Sequence, residues 1–103
     1  MYKIGTDIVK ISRIEKSIKN DTFLQQVFTE REIEYCKKAE SFAGLFACKE
    51  AYFKAIGTGI KFPLTDVEIL HDDKGKPYIN GIENSDVSVS HDGEYAIATV
   101  IIW

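Results

Sequence analysis

The sequence predicts an α+β fold in one compact domain spanning residues 1–103, with helices packed on one face of a mostly antiparallel sheet. Two observations predict it. Apolar residues recur at helical spacing through most of the first half, and short alternating runs joined by turn signals fill the second. Length sets a further limit: a chain of 103 residues builds one core and leaves no room for a second catalytic module. A large substrate would therefore meet a shallow site or one shared between subunits.

Residues 2–9 alternate, with Tyr2, Ile4, Thr6 and Ile8 on one face and Lys3, Gly5, Asp7 and Val9 on the other, which predicts a first strand. Ile11, Ile14 and Ile18 then predict an amphipathic helix over residues 10–19 whose outer side carries Lys10, Arg13, Lys16 and Lys19. Thr29, followed three residues later by Glu32, has the form of a capping box and opens a helix over residues 30–38. A longer helix starts at Ser41 or a neighbour, runs through Phe42, Leu45, Phe46, Lys49, Tyr52, Phe53 and Ile56, and stops at Gly57.

From Thr65 onward the pattern changes to strands. Segments 67–70 and 78–82 flank a turn at 72–76, and segments 87–91 and 95–102 flank Asp92-Gly93, a dipeptide suited to a tight primed turn. The last strand is apolar on both faces. Its ending, Val100-Ile101-Ile102-Trp103, predicts burial, inside the domain or between subunits, where chain ends more often fray in solvent.

Composition narrows the function classes. With 45% hydrophobic and 28% charged residues the chain reads as a soluble globular protein, and no apolar run reaches the ~18 residues of a membrane span. A net charge of −3 argues against broad nucleic-acid binding, which needs a strongly basic face. Cys36 and Cys48 lie twelve apart with no CxxC pair or histidine cluster, so free thiols in a reducing compartment are expected, with the cytoplasm as the default.

The chemistry centres on Asp7, Lys49, Glu50 and Lys54. Aspartate is depleted in strands, and a buried carboxylate needs a cation or hydrogen-bond donors beside it. Gly5, two residues before it on the same face, leaves room there. If the first strand packs on the long helix, Asp7 and Glu50 can present oxygens to one divalent ion, a pattern that suits magnesium completed by substrate phosphates. Taken alone, Asp7 also fits a strand-end cap or a structural ion pair, and Glu50 with Lys54 fits a surface pair one turn apart.

Lys49 falls near the middle of the apolar arc of the long helix. Two readings stay open for it: a stem packed on the core with its ammonium reaching water, or a functional cation. Gly57-Thr58-Gly59 follows a helix instead of opening one, so helix termination is its intrinsic role, and phosphate attraction nearby must come from Lys49, Lys54 or Lys61. His71 reads as a solvated strand end without a role. His91 ends its strand beside a turn, where both a structural and a substrate-contacting role fit.

In order, Gly5-Thr6-Asp7-Ile8, the segment FACKEAYFKAIGTG over residues 46–59, and Ser88-Val89-Ser90-His91 resemble the holo-acyl-carrier-protein synthase pattern over nearly the whole chain. The long segment is the specific one. The resemblance implies a 4′-phosphopantetheinyl transferase-like fold forming a homotrimer, with coenzyme A in clefts between subunits. It implies magnesium-dependent transfer of phosphopantetheine from coenzyme A to a serine of an apo-acyl carrier protein, a step serving fatty-acid biosynthesis.

By position, the resemblance makes Asp7 and Glu50 the magnesium ligands and brings Lys54 to the pyrophosphate. Gly57, Thr58 and Gly59 shape the nucleotide pocket together with Lys49, while Pro77 and His91 approach from the neighbouring subunit. Glu50 or a water on the metal accepts the serine proton. Arg13, with Lys10 and Lys16, docks the acidic carrier. Leu45 stands where many members carry an arginine, and the segment between Tyr35 and Ser41 is short. Two rival readings are a magnesium-dependent hydrolase of nucleotide pyrophosphates and a trimeric binding module without catalysis.

Overall fold

Gly5, Asp7 and Val9 turn toward the core and Ile4 and Ile8 away from it, so the first strand buries its less apolar face. That strand, β1 (Lys3–Lys10), belongs to a computed structural model that describes all 103 residues. It runs directly into α1 (Ile11–Ser17), where Ile14 is buried and Ile11 and Ile18 pack against the core. The helix is shorter than its periodicity predicts, because Ile18 begins a turn whose backbone amide bonds Ile14.

A helix that the sequence reading lacks follows: α2 (Asp21–Val27), capped by the Asn20 side chain, which accepts from Phe23 N at 3.1 Å. Next comes α3 (Glu30–Tyr35). Its capping box forms in both directions, Glu32 N donating to Thr29 Oγ1 at 3.2 Å and Thr29 N donating to Glu32 Oε1 at 2.8 Å. Its last helical residue is Tyr35, three residues before the expected stop.

The long helix α4 (Ala39–Ile56) begins without a side-chain cap and ends at Gly57, which adopts φ 77° and closes the last turn through its amide on Phe53 O at 2.9 Å. Ala43, Ala47, Ala51 and Ala55 form a stripe at i, i+4 spacing and are all buried. The expected arc of larger apolar residues is only part of its buried surface, since sheet covers one side of the helix and the other helices cover much of the rest.

After a loop and a short 3-10 turn at Leu64–Asp66, β2 (Ile69–His71) and β3 (Pro77–Ile79) make a small antiparallel hairpin, both shorter than predicted. Then β4 (Ser85–Asp92) and β5 (Tyr95–Ile102) pair with Asp92 opposite Tyr95. The two loop residues are therefore Gly93 and Glu94, one position later than the dipeptide signal placed them. Gly93, at φ 58°, supplies the positive angle a primed turn requires.

The main sheet has the order β1-β5-β4 and is antiparallel throughout. Its inner face reads in rows: Gly5, Val100 and Val87; then Asp7, Ala98 and Val89; then Val9, Ala96 and His91. The outer face leaves Tyr2, Ile4, Ile8, Tyr95 and Ile97 exposed. The apolar character of β5 on both sides thus follows from its central position between two strands, one face covered by α4 and the other bare.

Candidate functional site

The site begins at a contact that only glycine permits. A Cβ placed on Gly5 would sit 2.0 Å from Ala51 O and 2.7 Å from Ala55 N, so β1 touches the backbone of α4 with no side chain between them. Two residues on along the same face, Asp7 enters beside Glu50 and Lys54. The strand supplies one carboxylate and the helix the second, one turn before a lysine.

Asp7 is 8% exposed, and its Oδ1 accepts from Lys54 Nζ at 3.2 Å. Its Oδ2 is buried without any hydrogen-bond partner. Glu50 beside it is pushed up to a pKa of about 7, first by burial, then by hydrogen bonding with and repulsion from the Asp7 carboxylate, while Arg13 and Lys54 pull it partly back. When both acids are ionised neither has a proton to donate, and the pair is two like charges in a half-dry corner. A cation resolves both the orphaned oxygen and the repulsion.

That donor set fits magnesium. No group of three or more histidine, cysteine, aspartate or glutamate side chains is placed to hold a metal ion, so this corner offers a cation two carboxylates. Magnesium typically takes one or two, keeping water and substrate phosphate for the rest of its shell. Lys54, in the last turn of α4 and largely exposed, adds a mobile positive charge at the rim.

Lys49 does not join them. It is fully buried, donating to Glu32 Oε1 at 2.6 Å, Val27 O at 2.5 Å and Leu64 O at 3.2 Å, with its ammonium 5.5 Å from the centre of the Phe28 ring. Every proton is committed, which corrects both the nucleotide-contact assignment and the expectation of an ammonium reaching water. Burial presses its pKa down and Glu32 holds it up. Glu32 is the residue the sequence reading missed: its Oε1 serves the cap and Lys49, and its Oε2 accepts from Ile69 N at 2.8 Å. The capping box marked its position but not its long-range partners.

Gly57 and Gly59 both hold positive φ, with open space where a Cβ would stand, and start an exposed loop three residues past Lys54. Arg13, exposed on α1, lies 5.9 Å from the Phe46 ring and close enough to Glu50 for its charge to act there. Lys10 and Lys16 are exposed on the same segment.

Pro77, on the separate β2-β3 hairpin, and His91, on the edge strand β4 of the main sheet, lie on the side away from β1. They share a cleft of about 220 Å³ with Tyr35, Leu45, His71 and Gly75, whereas Asp7 lies two strands away on β1. His91 Nε2 is 3.1 Å from Glu40 O, at the start of α4. His71 is no solvated strand end: its ring stacks on Tyr35 at 3.8 Å, and burial lowers its pKa. The residues that the resemblance assigns to the site therefore fall into two groups on opposite sides of the sheet.

The 4′-phosphopantetheinyl transferase superfamily model matches residues 3–100. The chain belongs to this superfamily. Holo-[acyl-carrier-protein] synthases from Fusobacterium nucleatum subsp. nucleatum and Geobacillus sp. are 44% and 46% identical to it, matching 96% of this chain and 96% and 93% of theirs. The fold agrees with that of the Helicobacter pylori holo-[acyl-carrier-protein] synthase in complex with coenzyme A, at a TM-score of 0.88 and 38% identity over 97% of this chain and 99% of that one.

The Bacillus anthracis str. Ames synthase in complex with CoA (3′,5′-ADP) superposes with a TM-score of 0.84 and 39% identity, covering 97% of this chain and 94% of that one. In this phosphopantetheinyl transferase the α+β fold, with α4 against an antiparallel sheet, is thus the architecture of the family. No helix of the transferase is long and apolar enough to cross a membrane.

Proposed function

We propose that the corner formed by Asp7, Glu50 and Lys54 is the transfer centre of a holo-[acyl-carrier-protein] synthase. The reaction moves 4′-phosphopantetheine from coenzyme A to a serine of apo-acyl carrier protein and releases adenosine 3′,5′-bisphosphate. The observation that carries the assignment is Asp7 Oδ2, buried and unpartnered beside a glutamate whose proton affinity is raised.

Asp7 and Glu50 would hold magnesium, which when bound supplies charge neutralisation at the pyrophosphate. Lys54, free to leave its partly exposed pairing with Asp7, meets the same phosphates as a point charge. The serine hydroxyl attacks the β-phosphorus, a bond forms from Oγ, and the bond to the bridging oxygen breaks with its electrons leaving on the nucleotide. Glu50, or a water held at the same corner, would take the hydroxyl proton. The loop at Gly57, Thr58 and Gly59 borders the nucleotide, and Arg13, Lys10 and Lys16 face the acidic carrier.

The assembly is a homotrimer in the cytoplasm, serving fatty-acid biosynthesis. Two features support shared sites: the bare apolar face of Tyr2, Ile4, Ile8, Tyr95 and Ile97, and the separation of Pro77 and His91 from Asp7 across the sheet. A neighbouring subunit would bring its Pro77 and His91 to the Asp7 edge. Two free buried cysteines suit a reducing compartment.

Intact-mass analysis of an apo-acyl carrier protein incubated with the transferase, coenzyme A and magnesium tests the reading. A gain equal to phosphopantetheine, absent when chelator is added, is the expected result. Hydrolysis of coenzyme A without loading of any carrier would overturn it.

A further inference from the structure

The β2-β3 hairpin stands apart from the main sheet, three residue pairs long, with Ile69 opposite Ile79 at its base and His71 opposite Pro77 at its far end. A two-stranded pair has little stability of its own. Ile69 and Ile79 are buried and fix the base in the core, which leaves the tilt of the far end to be set by polar contacts beside that base.

Those contacts converge on Glu68, the residue before β2. Its Oε2 accepts from Thr29 Oγ1 at 2.6 Å and from Arg31 Nε at 3.3 Å, and its Oε1 accepts from Arg31 Nη2 at 2.7 Å and from Asn80 Nδ2 at 3.1 Å. Asn80 directly follows β3, and its backbone amide donates to Glu68 O at 2.8 Å. One carboxylate thus joins the start of α3 to both strands. Its side chain is only 14% exposed, so water competes weakly for these bonds. Two further contacts lay α3 along β2: Ile69 N donates to Glu32 Oε2 near the base, and Tyr35 stacks on His71 near the far end.

We infer that Glu68 is a positioning residue for nucleotide binding, holding the hairpin at the angle that brings Pro77 into the cleft with His91. The inference rests on the transferase reading above, in which Pro77 and His91 approach the nucleotide. His71, Gly75 and Pro77 reach the cleft from the hairpin, whereas Leu45 and His91 reach it from α4 and β4. The cleft is therefore a seam, and its width follows the tilt of the hairpin. Neither Glu68 nor Asn80 lines it, so both act on a ligand only through the hairpin they hold. Small displacements of groups that position a substrate are costly even when they lie far from the chemistry.

Steady-state transfer by Asn80→Asp and by Glu68→Ala tests it, with the KM for coenzyme A and for apo-carrier measured separately. The first variant sets a like charge against Glu68 where a donor stood, and the second removes the acceptor. In both, the coenzyme A KM should rise roughly tenfold while kcat and the carrier KM stay within about twofold. Combining Asn80→Asp with Glu68→Gln exchanges acceptor and donor, and should bring the coenzyme A KM back toward wild type. Hydrogen exchange should quicken in the hairpin amides of the single variants and stay unchanged in the main sheet. An unchanged coenzyme A KM in both single variants overturns the inference. So does a KM that the exchanged pair fails to lower, or a joint fall of kcat and thermal stability, which would make Glu68 a contact of the fold at large. Failure of the wild-type protein to load any carrier would instead refute the underlying function.

Discussion

Lys49 Nζ lies 2.6 Å from Glu32 Oε1, and neither side chain has any exposed surface. A buried pair of this kind contributes little beyond an apolar pair of the same volume, but removing one partner strands the other charge. Lys49→Met should therefore destabilise the protein by about 3–5 kcal/mol. Lys49→Met with Glu32→Leu should recover only the part due to the stranded charge in urea unfolding, because Val27 O, Leu64 O and Ile69 N lose their partners as well, and the double variant should still bind coenzyme A. Loss of nucleotide binding in a stable double variant would return Lys49 to the site.

Gly5→Ala attacks the junction of β1 and α4. The added carbon meets backbone at 2.0 Å, where no side chain can swing aside, so strand and helix must part. Overpacking alone typically costs ~1–3 kcal/mol. Because Asp7 rides on the same strand face, the displacement also separates it from Glu50. Thermal melting should show the stability loss, and magnesium affinity should fall with it.

Glu50→Gln keeps volume and removes the charge. Transfer should drop by at least ~100-fold in single-turnover assays, while the oligomer and the circular dichroism spectrum stay unchanged. Full activity would dismiss the carboxylate from the chemistry.

The raised pKa of Glu50 also makes stability depend on pH. A carboxyl whose folded pKa lies above its unfolded one favours the folded state below the unfolded value, and that contribution is lost as pH rises through the folded value. In chelator, the denaturant midpoint should fall as pH climbs from 4.5 through about 7. Magnesium should flatten the dependence, and Glu50→Gln should lack this component. A midpoint indifferent to pH over that window would contradict the carboxylate pairing.

Arg13→Glu reverses a charge that acts on Glu50 and that, in the proposed docking, faces the carrier. Carrier KM should rise several-fold, with the effect shrinking as salt screens the interaction, while coenzyme A binding is preserved. The same change should raise the Glu50 pKa further, because Arg13 now lowers it.

The sequence carried the fold class, the two long terminal strands and the Asp7 and Glu50 pair, because each rests on a local period or a short motif. It did not carry Lys49. Position on the helix placed that residue in the core, but its partners lie 17, 22 and 15 residues away, and no local pattern encodes them. Helix α2 went unseen because its cap, Asn20, is followed three residues later by Phe23 and not by the glutamate that completes a capping box. Alternation in β1 separated two faces without saying which one meets α4. Gly5 decided that, and its role is visible only once the helix backbone is in place.

The antiparallel order β1-β5-β4 sets Asp7 and His91 on opposite border strands, so that in the proposed arrangement each chain would hold half of one site at either border. In the proposed trimer, catalysis would then be a property of neighbouring pairs. Equal mixing of two inactive proteins, one altered at Glu50 and the other at His91, would restore about a quarter of the junctions by chance. A population of defective molecules would recover turnover that neither parent possesses.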